Sequence, residues 1–532
     1  MSLPALSLPE GGLVPPGAAD LPGSRSAPGS RRHAAAWSLL AVLLLALVVR
    51  VVGVWADLPY VYNADEPTNL GVVDAMVTNG DGNPRFFNYP SLSIYLQAAV
   101  HLDGPLLSWL PGDREQPLTS LVMGSAMSAT PEAVLVHRGL TVLLGTFVVV
   151  FTWLATRALT GGHLAATAAA GLVALSPTLI EQSRLVTPDM LAATLVAATC
   201  WLSVRLLHRG TWPAYALAGL SVGLAASAKY NAVLVASAVV AASLLCRHPG
   251  ALRRAVGLPL AAVAAVVGFC LTTPYAVLDR VAFVAALGFE REHYSTGHAG
   301  MEGGTPAFYA SYLLRHEPVL VLVGVAGAAM VLYARREDVR WRGALVLAAF
   351  PLVYGGAIST LAVRNDQTVM LVLPPLAMLA GLAVDQVLRR TAPGTLRRGA
   401  PVLVAALLLV VYGGWTAFPP RGPSTYQAAQ DWLTERSPSG ARVLVESYTP
   451  FLDPGRYALV ARTRLIDAPL PGSDEVDFVI ASEAMYGRFV QDAERYPVQA
   501  EAYRRVFASL TPVATFTGDG PTLGVFRVRD PP

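Results

Sequence analysis

AAAWSLLAVLLLALVVRVVGVWADLPYVYNADEP, residues 34–67, carries an apolar run directly into two adjacent carboxylates and a proline. A helix that crosses a bilayer takes about 20 apolar residues, and 34–56 supplies them. The run exceeds a typical signal-peptide core and ends at Trp55-Ala56-Asp57 without a small-residue cleavage site, so it is expected to persist as a first span. Asp65 and Glu66 then stand at the membrane surface. Carboxylates there lose solvation and are retained to bind a cation, orient a hydroxyl or take a proton. The start of a solvated, capped helix is the competing reading of the same pair.

The rest of the chain fits that beginning. Of 532 residues, 54% are hydrophobic and 14% charged. Soluble domains carry about a quarter charged residues, so this is an integral membrane protein. The net charge of +3 is spread thinly and gives no case for a nucleic-acid partner. Lys229 is the only lysine among abundant arginines, a bias that, with the Ala, Val, Gly and Pro content, suits a GC-rich, bacterial source. Cys200, Cys246 and Cys270 lie in or at the ends of apolar runs, with no disulfide framework or zinc spacing.

Residues 1–33, rich in Pro, Gly and Ser, read as a disordered cytoplasmic tail. Further spans are expected at 136–157, 164–182, 188–207, 212–228, 230–246, 254–272, 317–334, 343–362, 367–388 and 401–419, about eleven transmembrane helices in all. Arginines such as Arg157, Arg205, Arg247, Arg335 and Arg389 fall on the side of Arg31-Arg32, which predicts a cytoplasmic N-terminus and an external C-terminus. Residues 57–135 form a long first outer loop in which 91–110 lies on or dips into the membrane, a helical hairpin being the alternative. From 420 to 532 the pattern changes to a small extracytoplasmic α/β domain. Helices are expected at 425–435 and 496–509, with strands at 443–445, 476–481, 512–517 and 522–528.

The outer loops share their polar residues on one face. They carry Tyr62, Asp65, Glu66, Asn88 and Tyr89, then Arg184 and Asp189, then Lys229, then Arg291, His293 and His298, and last Arg364. A sugar transporter would place such groups near mid-membrane in repeated halves, and no repeat is visible. The pattern suits an enzyme that meets a lipid-borne substrate at the mouth of its bundle.

A span ending just before Asp65-Glu66, the following Tyr89-Pro90, the Arg184 to Asp189 turn, Lys229-Tyr230 and Arg364 leading to Leu373-Pro374-Pro375 together resemble the C-type (GT-C) membrane glycosyltransferases. The branch is that of the protein O-mannosyltransferases and aminoarabinose transferases, and the resemblance covers roughly 35–420. It implies a mainly α polytopic fold that transfers a sugar, with inversion, from a polyprenyl-phosphate carrier to an acceptor hydroxyl of a protein, polysaccharide or glycolipid. Asp65 is then the general base. Glu66, Tyr62, Asn88, Tyr89 and Asp189 are expected to hold substrate. Arg184, Lys229, Arg291, His293, His298 and Arg364 are the candidate cations for the donor phosphate, each also suited to snorkelling at a span end. A divalent cation near His293, His298 and Glu302 is the one cofactor considered. The other function classes are a flippase for lipid-linked sugar and a non-catalytic assembly protein.

Overall fold

The computed structural model describes residues 28–56, 58, 61–63, 65–101, 131–247, 250–297, 299–300, 302–333, 338–390 and 424–528. The expected span at 401–419, the tail 1–27 and His298 lie outside them. The first part is a helical bundle that opens with α1 (Pro28–Val51). Two short helices of the long first loop follow, α2 (Asp65–Asn79) and α3 (Ser91–Val100). Next come α4 (Pro131–Thr160), α5 (His163–Ala174), α6 (Pro177–Gln182), α7 (Asp189–Arg209) and α8 (Trp212–Ala228). A 3₁₀ turn at Tyr230–Val235 leads into α9 (Ala236–Leu245), and then come α10 (Ala251–Thr272), α11 (Tyr275–Leu278) and α12 (Arg280–Thr296). The bundle closes with α13 (Thr305–His316), α14 (Pro318–Leu332), α15 (Val339–Ser359), α16 (Asp366–Val369) and α17 (Leu373–Arg390).

Every expected span within the described residues is helical. By length and composition, however, six helices among the described residues suffice to cross a membrane, or seven if the pair α13 and α14, bent by 105°, counts as one. One expected span lies outside the described residues, α8 is 17 residues long, and the rest of the difference lies in breaks within the apolar runs. Residues 164–182 divide at Ser176-Pro177, where the Ser176 hydroxyl accepts from Leu179 N–H (3.3 Å) and Pro177 opens α6. Such a cap with proline at the first helical position starts a new helix. The buried Glu317 locks the corner, since its Oε1 accepts from the Ser176 hydroxyl (2.6 Å) and from Thr178 N–H (3.1 Å).

Helices α7 and α17 are largely enclosed by their neighbours, whereas α1 and α10 turn Leu40, Leu44, Val263, Val266 and Leu271 outward as lipid-facing surface. Two glycines let α8 and α10 touch. A Cβ at Gly219 or Gly223 would run into the carbonyls of Ala261 or Ala265. Small residues four apart are the usual means of backbone approach where lipid removes the hydrophobic drive between helices.

The C-terminal domain holds a five-stranded sheet ordered β2-β1-β3-β5-β4. Its strands are β1 (Arg442–Val445), β2 (Ala458–Ala461), β3 (Phe478–Ser482), β4 (Leu510–Phe516) and β5 (Leu523–Val528). Strand β1 runs parallel to β2 and β3, and β5 antiparallel to β3 and β4. Helices α18 (Thr425–Arg436), α19 (Glu483–Val490) and α20 (Pro497–Ala508) accompany it. The short, exposed edge strand β2 and the helix α19 are additions to the expected elements.

Candidate active site

Asn63 starts the site by capping α2, its Oδ1 accepting from the backbone N–H of Asp65 (2.9 Å) and Glu66 (3.2 Å). Two acidic residues in a first helical turn also suit the helix dipole. Asp65 faces a cavity of about 610 Å³, a size ordinary for small-molecule sites. Around it stand Tyr62, Asn88, Tyr89, Lys229, Glu290, His293 and Tyr294, with Asn365, Asp366 and Gln367 from the turn before α17. Tyr448 and Arg488 of the C-terminal domain complete the wall.

Burial, reinforced by the nearby Asp189, raises the Asp65 carboxyl above the usual aspartate range, while Lys229 and a side-chain hydrogen bond from Gln367 pull the other way. A partly desolvated carboxylate of this kind is a better proton acceptor than one in water. Burial pushes the Tyr89 and Tyr294 phenols up, so both stay protonated and can donate. Lys229 caps the end of α8 and gives a 2.5 Å ion pair to Asp189, the first residue of α7. Asn88 donates to Glu290 at 2.6 Å, which ties the first long loop to α12.

Several expected site residues are elsewhere. Both Glu66 oxygens are bound by Arg138, at 2.9 and 2.8 Å, and Oε1 also accepts from Val186 N–H at 2.9 Å. Glu66 is 0% exposed, so it supports the site from behind and does not meet an acceptor. Asp189 likewise acts through Lys229. Arg184 is drawn to the end of α1, where its Nη2 donates to Val49 O at 2.7 Å. Arg364 donates to Gly303 O at 2.7 Å and covers the Phe308 ring. Arg291 is exposed on α12 and does not line the cavity. Arg184 satisfies a carbonyl at the end of α1 and Arg364 one in the turn before α13, and those bonds take both off the wall. Of the expected cations among the described residues, Lys229 and His293 line it. Glu302, weighed above as a metal ligand, accepts from the Tyr496 hydroxyl and pairs with Arg495 at 3.1 Å. Among the described residues no three His, Cys, Asp or Glu side chains are grouped to hold a metal.

Glu290, Tyr294, Asn365, Asp366, Gln367, Tyr448 and Arg488 are site residues that sequence reasoning did not select. Tyr294 adjoins His293, and Gln367 follows Arg364 in the same turn, which is a faint signal. Tyr448 and Arg488 reach the cavity only through docking of the C-terminal domain.

Residues 117–277 match the family model of dolichyl-phosphate-mannose-protein mannosyltransferases. No curated protein sequence matches the chain. Among solved structures, the chain is similar to the apo oligosaccharyltransferase of Archaeoglobus fulgidus, with a TM-score of 0.55 and 13% identity over 92% of this chain and 74% of that one. It is also similar to ArnT from Cupriavidus metallidurans bound to undecaprenyl phosphate, with a TM-score of 0.53 and 14% identity over 94% of this chain and 98% of that one. The architecture is therefore that of the polytopic GT-C glycosyltransferases, and with the family match it indicates a membrane glycosyltransferase.

Proposed function

We propose that this glycosyltransferase moves a sugar, with inversion, from a polyprenyl-phosphate donor to an acceptor hydroxyl on the outer face of the cell membrane. The observation that carries the proposal is Asp65, a carboxyl with raised proton affinity on the wall of a cavity that also holds Lys229. The undecaprenyl phosphate bound in the Cupriavidus metallidurans ArnT structure supports the class of donor.

In this reading Asp65 accepts the acceptor's hydroxyl proton as its oxygen attacks the anomeric carbon. The bond from that carbon to the phosphate oxygen breaks, and its electron pair leaves with the polyprenyl phosphate. A base and a leaving group on opposite faces of the sugar give inversion. Lys229, aimed by Asp189, meets the charge that grows on the phosphate, and the protonated Tyr89 and Tyr294 donate within the same cavity.

The test is transfer of radiolabelled sugar from a panel of polyprenyl-phosphate donors in membranes carrying the native chain or Asp65→Asn. Native turnover that falls by about 10³-fold or more in the variant supports the base, which is worth about 10²–10⁴ on its own. Undiminished transfer by Asp65→Asn sinks the assignment. Movement of the carrier across the bilayer without transfer would favour a flippase.

A further inference from the structure

Tyr448 has φ +65°, and among the described residues Arg85 is the only other non-glycine residue with positive φ. A side chain held in the left-handed region costs free energy and persists where the surrounding fold over-determines it, often at functional sites. Here the fold does so. Glu446, two residues earlier, accepts from Leu465 N–H (3.2 Å), Ser482 N–H (2.9 Å) and the Tyr503 hydroxyl (2.8 Å), and Thr449 donates back to Glu446 O at 2.6 Å.

The Arg488 guanidinium lies over the Tyr448 ring at 4.8 Å, its Nε donating to Ala484 O at 2.7 Å. The stem of Arg488 passes Gly300 so closely that a Cβ there would collide with it. The domain carrying this pair is latched to the bundle. Tyr426 stacks on Tyr62 with centroids 3.9 Å apart, and Arg495 and Tyr496 grip Glu302.

Charge then gives the pair a task. The other charged groups of the cavity wall include Asp65, Glu290 and Asp366, and Lys229 is matched by Asp189. Arg488 is the one guanidinium among the described lining residues, and it comes from the domain on the water side. An acid group on an incoming acceptor is repelled by the acidic wall and drawn to Arg488, which turns the rest of its ring toward Asp65. We propose that Tyr448 and Arg488 form the acceptor wall and select a glycan unit that bears an acidic group beside its reacting hydroxyl. This deepens the glycosyl-transfer reading above and rests on it.

The test is binding of methyl glucuronide and methyl glucoside to the purified full chain in lipid nanodiscs, followed by saturation-transfer NMR. The native chain is expected to prefer the glucuronide by about tenfold or more, the worth of a charge-assisted hydrogen bond. Arg488→Gln should bring that ratio close to one by weakening the glucuronide far more than the glucoside. Tyr448→Gly, in which glycine accepts φ +65° freely, should weaken both ligands, and Tyr448→Phe should bind as the native chain does. A native chain without preference, an Arg488→Gln variant that keeps it, or native-like binding by Tyr448→Gly overturns the proposal. Binding is read without turnover. A preference lost in Arg488→Gln with no sugar transfer by any form would overturn the transfer reading alone, and transfer without a preference would overturn this one alone.

Discussion

On the first turn of α2 successive side chains point about 100° apart, so Asp65 looks into the cavity and Glu66 into the bundle. That angle divides one acidic pair into a cavity-facing group and a buried support. Because burial raises the Asp65 carboxyl, the folded chain favours its protonated form, and ionisation costs stability once pH rises past the folded value. Asp65→Asn copies the protonated form, so at neutral pH it is expected to melt no lower than the native chain while losing transfer. The acid limb of kcat/KM should likewise fall above the ordinary aspartate value of about 4. A limb at or below that value would remove Asp65 as the titrating base.

The first turn of α2 is held as a unit. Arg138 of α4 binds Glu66 through two N–H groups and donates its Nη1 to Val54 O (2.8 Å) and Ala56 O (3.0 Å), while Glu66 takes Val186 N–H. One carboxylate thus joins the end of α1, the start of α2 and the approach to α7. Glu66→Ala would leave Arg138 buried and unpaired, at a cost of about 3–5 kcal/mol, visible as a lower melting temperature. Native-like melting would show that the pair is dispensable. Between α8 and α10 the lever is volume, and Gly223→Leu should cost several kcal/mol by forcing the two backbones apart, on the order of other overpacked sites. Apolar length made the helices legible in the sequence, since each described span stands where hydropathy put it. The breaks were harder to read. Ser176-Pro177 sits inside a continuous apolar run, and what ends a helix there is a local cap that hydropathy does not weigh, whereas the break at Lys229-Tyr230 stands where the sequence put it.

Across the whole molecule, the bundle supplies Asp65 and Lys229 to the cavity, and the C-terminal domain closes the other wall. The outer loops of the bundle were legible because charge at a membrane surface is rare enough to notice. Tyr448 and Arg488 were not, because nothing local marks a residue that becomes functional only when two domains meet. The buried Glu446 beneath Tyr448 gives that domain a pH dependence. Burial pushes its carboxyl up to about 7 against the hydrogen bonds that favour the ionised form. A raised folded value means its contribution is present in full below about 4.5 and gone once pH passes about 7. Unfolding of the C-terminal domain, followed by hydrogen exchange, should therefore become easier across that window, and Glu446→Gln should flatten the slope. An unchanged slope in the variant would assign the dependence to another group.

The latch between Glu302 and the Arg495-Tyr496 pair has a further consequence. Since Tyr448 and Arg488 are encoded beyond residue 424 and Asp65 and Lys229 before residue 230, the two halves of the cavity occupy separate stretches of the gene. Recombination could exchange one stretch and keep the other. A lineage built on this plan would inherit its donor and its chemistry through the bundle and diversify its acceptors by trading the distal domain, so relatives should diverge fastest where the latch lets a new domain seat.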